Sequence, residues 1–364
     1  MLGVDSVIFP VLGGGADVRH SSPTAMLVGP ARPGPVKRPV ATSKLQRRKE
    51  LDELSWRKQE TWPLVSVVVP TRDRPGLLKR AVRGILNQRY PGEIECLVVF
   101  DQSEPTEVGV EPGERRRLRS IRNDRTAGLA GARNAGVLAS AGVLVAFCDD
   151  DDEWLPDKLR LELEAMRADP EAIVAACGVI VRYGRRAFRR LPPGGTRVTH
   201  QQLLRRRLME VNPGTIVVER WALLESIGLV DEDIPGSYCE DYDWLLRAAR
   251  VAPVLVVPEP LVRIHWHASS FFAGQWQTII RALLYLLDKH PEFGQEPAGL
   301  ARIEGQIAFA HAALGQAGPA RRWATRALRR NWLERRAYVA LAVSTRLLRA
   351  ETVLRLAHSA GRSI

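Results

Sequence analysis

VSVVVPTRDRPGLLKRAVRGILNQRYPGEIECLVVFDQS, residues 65–103, decides the fold of this chain. It reads as strand, helix, strand. An apolar run at 65–69 precedes Pro75, which suits a first helical turn, and Leu77, Leu78, Ala81, Val82, Ile85 and Leu86 then recur on one helical face before a second apolar run at 94–100. Further strands are expected at 118–121 and 143–148, with a helix at 128–139. Strands alternating with such helices imply a parallel, doubly wound α/β sheet, in which ligands bind beyond the carboxyl ends of the strands. Thr71, Asp101 and the acidic run from Asp149 to Asp152 all fall at those ends.

Four adjacent carboxylates repel one another unless a cation or a proton relieves them. If the segment after the strand stays extended, Asp149 and Asp151 share one face and Asp150 points away. Mg²⁺ is typically held by one or two carboxylates, with substrate phosphate oxygens completing its shell, and Mn²⁺ accepts similar ligands. A phosphate-bearing substrate is implied. The competing reading is an acidic turn opening the helix that begins near Pro156, since acids favour helix N-termini.

The chain has 364 residues, 45% hydrophobic and 26% charged, enough for one large domain with additions or for two domains. Its net charge of +12 resides in the flanks: residues 1–62 carry 10 Lys/Arg against 6 Asp/Glu, residues 275–364 carry 14 against 6, and the middle has 29 of each. Chemistry in the middle therefore does not rest on a basic field, and with no basic surface interleaved with aromatics, nucleic acid is not an expected partner. Cys96, Cys148, Cys177 and Cys239 show no metal-binding spacing, which fits reduced, packed thiols and a cytoplasmic setting. No apolar run approaches the roughly 18 to 20 residues of a membrane span, and the apolar start lacks the basic region of a signal peptide.

Residues 1–62 read as a largely disordered basic extension, with one short helix near 45–58. The central region, 63–270, divides into halves at 63–160 and 161–270, the second with strands at 172–181, 215–219 and 254–258, helices at 220–227 and 239–251, and an arginine-rich loop at 182–207. Residues 271–364 are helical, with a tetratricopeptide-like hairpin near 306–331 joined at Gly318-Pro319; a single such unit must pack on a neighbour.

Four blocks, 65–103, AGLAGARNAGVLAS at 127–140, VAFCDDDDEWLPDKL at 145–159 and GLVDEDIPGSYCEDYDWLLRAAR at 228–250, together resemble glycosyltransferase family 2, in order and spacing. The resemblance implies the GT-A fold, a Rossmann-like and mostly parallel sheet flanked by helices, here with a helical C-terminal extension. It also implies inverting transfer of a sugar from a nucleotide diphosphate sugar, most commonly UDP-linked, to an acceptor hydroxyl of a glycan or lipid-linked acceptor, with Mn²⁺ or Mg²⁺, in surface polysaccharide or glycoconjugate synthesis. On this basis Asp149 and Asp151 match the DxD positions, near the ribose and at the metal. Thr71 and Asp101 match the nucleotide-binding positions, Arg133 faces the diphosphate and Asp241 is the base. His265, with His267 as competitor, falls near the metal and diphosphate. Phe100-Asp101 stands where the family often has two acids, and Asp73 where it more often has Asn.

A base opposite the leaving group would invert the anomeric centre by direct displacement, with no protein nucleophile. Glu240, Asp241 and Asp243 also suit a helix start for purely electrostatic reasons, a histidine beside a strand end commonly serves packing, and Trp154 could stack on an acceptor sugar or simply pack. A non-catalytic nucleotide-sugar-binding relative is the alternative function. The basic flanks further suggest peripheral contact with an anionic membrane at the inner face of the cell membrane, each Lys or Arg adding about 1 kcal/mol.

Overall fold

Uninterrupted apolar runs build the centre of the sheet. The computed structural model describes residues 56–184, 186–193, 195–265 and 274–359. In chain order the first half holds β1 (Val65–Thr71), α1 (Pro75–Leu86), β2 (Ile94–Phe100), β3 (Arg116–Arg122), α2 (Leu129–Ala139) and β4 (Leu144–Phe147). β1, β2 and β4 are buried along their whole length, as strands covered on both faces must be. They run parallel in the order β3-β2-β1-β4. β3 lies at the edge with four arginines, and charge there discourages pairing with another chain.

The second half adds β5 (Glu153–Trp154), α3 (Lys158–Ala168), β6 (Val174–Tyr183), β7 (Arg186–Arg190), β8 (Arg197–Val198), α4 (His200–Arg205), β9 (Val217–Glu219), α5 (Glu240–Val251) and β10 (Val254–His265). β9 joins the halves, antiparallel to both β4 and β6, while β10 returns parallel to β6. The sheet is mixed: β3, β2, β1 and β4 run parallel, and every antiparallel pairing involves a strand of this second half.

The two-residue period of the strands sorts the core. Val68 and Val145 face α2 and α5, whereas Val67, Val69 and Val98 face α1 and α3. Each such buried side chain contributes about 1.5–3 kcal/mol over leaving it in water. Gly136 permits the α2 contact, because a Cβ there would stand 2.3 Å from Val68 Cγ1.

Five helices follow: α6 (Trp276–Lys289), α7 (Pro297–Ala313), α8 (Ala317–Arg330), α9 (Arg335–Ser344) and α10 (Ala350–Ser359). α7 docks directly on the sheet domain, where a Cβ on Gly299 would lie 1.9 Å from the Leu204 carbonyl oxygen. Small buried residues, among them Ala301, Ala308, Ala320 and Ala324, draw α7 and α8 together. All described residues fall within one compact unit.

Several expectations are corrected. The helical hairpin breaks at Leu314–Gln316 instead of Gly318-Pro319, which sits inside the first turn of α8, where a proline needs no amide partner. The arginine-rich stretch at 182–207 is not a loop: it pairs as the β6–β7 hairpin and ends in α4. The helix expected near 220–227 is present at 220–226, wound more widely over Ala222–Ser226. All four cysteines are unpaired and buried, as packed thiols. The expected basic extension lies outside the described residues except for 56–62.

Candidate active site

β4 ends at Phe147, and the four acids that follow form a turn, closed by the Asp152 N–H donating to the Asp149 carbonyl at 3.0 Å. The extended geometry expected there is therefore absent, and the four side chains diverge by turn geometry, not by strand alternation. Asp150 turns inward, 1% exposed, accepting from Thr71 Oγ1 at 2.7 Å and meeting Arg74 Nη2 at 2.6 Å. Asp151 meets Arg74 Nη1 at 2.9 Å and remains partly exposed, as does Asp149. Burial pushes the Asp150 carboxyl up to about 6 against the pull of Thr71 and Arg74. Burial, reinforced by Asp149, also raises Asp151, and burial with the other three acids raises Asp152 furthest. Arg74 is thus shared between two of the four acids.

Arg133 projects from α2 as a buried cation held between two acids. Its Nη2 donates to Asp149 Oδ1 at 2.7 Å and its Nη1 to Glu240 Oε1. Burial opposes the charge on Arg133, but Asp149 and Glu240 outweigh it and hold its pKa above the ordinary value. Glu240 answers in the other direction: burial pushes it up to about 7 against the attraction of Arg133, with Asp241 and Asp149 adding repulsion. Glu240 and Asp241 open α5, so one guanidinium ties the acidic turn after β4 to the helix start that carries Asp241. Asp241 itself faces Arg207, whose Nη2 stands 2.9 Å from each carboxylate oxygen.

Asp101, just past β2, does not touch the acidic turn. Its Oδ1 accepts from Asn123 Nδ2 at 2.8 Å and from the Gly128 amide at 3.0 Å, and its Oδ2 from Gln102 Nε2 at 2.9 Å. It thereby fastens the loop before α2 to the end of β2. Beside it, a cavity of ≈ 220 Å³ opens beyond the carboxyl ends of β1 and β2, lined by Thr71, Arg74, Phe100, Ser103, Glu104 and Glu107 among others. Asp73, on the same rim, has φ 52, a left-handed conformation that Asp and Asn tolerate better than most residues.

His265 ends β10, with Nε2 3.6 Å from Glu153 Oε2. Burial and Arg80 lower its pKa, against the pull of Glu153. β10 pairs antiparallel with β5, Arg263 opposite Glu153. His267 lies outside the described residues. Trp154 is corrected as a sugar-stacking candidate: it is buried, donates from Nε1 to the Gly214 carbonyl at 2.9 Å and carries Lys158 over its ring.

For a divalent cation the donor set is open-sided. Among the described residues no three His, Cys, Asp or Glu side chains converge as a complete cage. Asp149 and Asp151 are partly exposed and ion-paired to Arg133 and Arg74, so their chemistry fits at most the sparser arrangement in which one or two carboxylates share the ion with substrate oxygens. Arg74, Arg207, Glu240 and Glu153 were missed by sequence reasoning. Arg74 could have been found from its place three residues after Thr71; the others become neighbours only through tertiary folding.

Residues 66–223 match the family model for glycosyl transferase family 2. Over that stretch the chain is similar to glycosyl transferase family 2. The chain is similar to an Escherichia coli UDP-Glc:alpha-D-GlcNAc-diphosphoundecaprenol beta-1,3-glucosyltransferase, WfgD, at 28% identity over 28% of this chain and 41% of that one. It is also similar to the succinoglycan biosynthesis protein ExoO of Rhizobium meliloti (strain 1021), at 38% identity over 29% and 30% of the two chains. Residues 1–349 of S. aureus TarS in complex with UDP-GlcNAc share the fold of this chain at a TM-score of 0.52 and 16% identity, over 82% of this chain and 92% of that one. Matches to four of the curated relatives span only 25% to 42% of their length.

Proposed function

We propose that this protein transfers a sugar from a nucleotide diphosphate sugar, UDP-linked, to an acceptor hydroxyl with inversion, in the synthesis of a surface polysaccharide or glycoconjugate. The observation that carries this reading is the Arg133 bridge, which joins the acidic turn after β4 to the helix start bearing Asp241. The curated relatives named for succinoglycan and for a diphosphoundecaprenol-linked acceptor support the pathway class.

In this reading the nucleotide enters the cavity at the ends of β1 and β2, with Thr71 and Asp101 as its nearest candidate contacts. Arg133 presents a fixed cation toward the diphosphate, where positive charge is worth most because water is excluded. Asp149 and Asp151 would hold Mn²⁺ or Mg²⁺, with His265 at the edge of the set, and the ion when bound supplies Lewis-acid stabilisation of the departing diphosphate. Asp241 takes the proton of the acceptor hydroxyl, and Arg207 sets the orientation of its carboxylate. The test is transfer from a panel of nucleotide sugars with and without Mn²⁺. Asp241→Asn should lower transfer by about 10³-fold while preserving donor binding; undiminished transfer in that variant would remove Asp241 as the base, and donor binding without transfer by the parent chain would favour a non-catalytic sugar-nucleotide binder.

A peripheral membrane contact is a second element of the proposal. The turn between α8 and α9 exposes Trp332 (70%) and Leu333 (61%) beside Arg329 and Arg335, a pairing of aromatic and cation suited to an anionic interface. No described helix is long and apolar enough to cross a membrane. Co-sedimentation with anionic vesicles should fall in Trp332→Ser/Leu333→Ser, and equal recovery of both proteins in the supernatant would remove the contact.

A further inference from the structure

A second cavity, ≈ 430 Å³, lies away from the nucleotide cavity, between the end of α4, the start of α7 and the turn from α8 to α9. Three of its lining side chains are arginines, Arg205, Arg206 and Arg302, against one acid, Glu334. Glu334 is already committed: its Oε1 accepts from the Arg336 amide at 3.1 Å and from Arg336 Nη1 at 3.2 Å. Arg302 is 9% exposed, yet no described carboxylate pairs with it. Its Nη2 donates to Tyr242 Oη at 2.8 Å, its guanidinium lies 5.3 Å from the centre of the Tyr242 ring, and its Nε is buried without a hydrogen-bond partner. Arg205 and Arg206 are exposed on the rim and form no ion pair with a described acid.

A buried guanidinium without a carboxylate is costly, because the desolvation of the charge is not offset by a partner. Burial, aggravated by Arg336 and Arg207, accordingly lowers the pKa of Arg302 despite help from Tyr242 and Glu334. An anion entering the cavity would complete the hydrogen bonding of Arg302 and neutralise the excess charge. Forked guanidinium donors match phosphate oxygens especially well.

Arg302 and Arg207, which grips Asp241, both lie against the Tyr242 ring, so one side chain connects the cavity to the proposed base. Leu208 on the cavity wall follows Arg207, and Tyr242, which Arg302 contacts, follows Asp241 in α5. Its outer rim includes Asn331 and Glu334, the two residues that flank the exposed Trp332 and Leu333. We propose that this cavity binds the phosphate group of a phosphate-linked acceptor, so that the acceptor sugar reaches toward Asp241 while any lipid tail passes over Trp332 and Leu333. This deepens the transfer reading and rests on it for the word acceptor, but the binding site itself does not.

The test is calorimetric titration of the full chain, with excess UDP present to occupy the nucleotide cavity. The probes are inorganic pyrophosphate and farnesyl diphosphate. Both should bind, and Arg205→Gln/Arg206→Gln should weaken both about tenfold or more, as loss of charge-assisted hydrogen bonds requires. Arg302→Lys, which keeps the charge in the core, should weaken them as well. Trp332→Ser separates the sources: loss of affinity for farnesyl diphosphate alone assigns a lipid-linked acceptor, and no change assigns a phosphate on a soluble glycan. Absence of binding by either probe, or binding indifferent to all the arginine variants, overturns the proposal. Asp241→Asn should leave the titrations unchanged. If that variant leaves transfer intact, the assignment of Asp241 as base fails, and if the parent chain transfers no sugar, the transfer reading fails; in both cases the phosphate site stands.

Discussion

Arg207 Nη2 stands 2.9 Å from Asp241 Oδ1 and 2.9 Å from Oδ2, so one arginine nitrogen faces both oxygens of the carboxylate proposed as the base. The same guanidinium lies 5.6 Å from the centre of the Tyr242 ring, which is itself buried. The carboxylate is thus held from a fixed platform. Asp241→Asn should lower kcat by about 10³-fold, within the range of general-base contributions. Arg207→Gln should lower kcat by about tenfold, with donor KM unchanged, because the carboxylate is then free to turn away from the productive geometry. Steady-state kinetics on both variants checks this; a faster Arg207→Gln enzyme would mean that the arginine restrains the base instead of orienting it.

Arg133 links α2 to both the acidic turn and α5, so its removal strands buried Glu240. Arg133→Met should destabilise the protein by about 3–5 kcal/mol, the usual consequence of leaving one member of a buried pair uncompensated. Adding Glu240→Met should recover part of that loss, since two apolar side chains no longer demand a counter-charge. Urea unfolding of the single and double variants measures the difference, and equal instability of the two would show that the acid is not the source of the cost.

At the join between the sheet domain and the C-terminal helices, Gly299 admits no side chain. A Cβ there meets the Leu204 carbonyl oxygen at 1.9 Å, and backbone cannot rotate aside as a flexible side chain can. Gly299→Ala should cost about 1–3 kcal/mol through overpacking. Limited proteolysis should then cut between α6 and α7 sooner than in the parent chain, and an unchanged digestion pattern would show that α7 adjusts without strain.

Glu232 sets an acid limb to stability. Although burial raises its pKa, hydrogen bonds from Asn134, Arg125 and the Thr126 amide overcome this and hold it down at about 2. The folded value lies below the unfolded one of about 4.3, so the contribution is fully present above the unfolded pKa and disappears as pH falls from there through the folded value. Thermal unfolding of the parent should lose stability across that window more steeply than Glu232→Gln. Parallel melting curves would remove Glu232 from the account.

The parallel strands and first helix were legible because their signal is local. Seven buried residues in β1 and seven in β2 leave no alternative to a covered strand, and Pro75 marks a helix start wherever the chain folds. The hairpin junction in the C-terminal helices was misplaced because Gly and Pro are breakers only inside a helix; in the first turn of α8 they are compatible with it. The acidic turn was read as extended because periodicity cannot reveal where a strand stops. The need for positive charge does not depend on that geometry, since a cluster of carboxylates needs it in either.

Residue order alone determined that acids and small polar residues would cluster at the carboxyl ends of parallel strands, because period-two and helical hydrophobic patterns dictate which ends face which way. Tertiary structure alone decided the partners. Arg74 on Asp150 and Asp151, Arg133 between Asp149 and Glu240, and Arg207 on Asp241 unite residues 16 to 107 positions apart. Arginines are abundant in this chain, and composition cannot say which of them is buried against a carboxylate. Only packing, which sets the local dielectric and the distance, makes that choice.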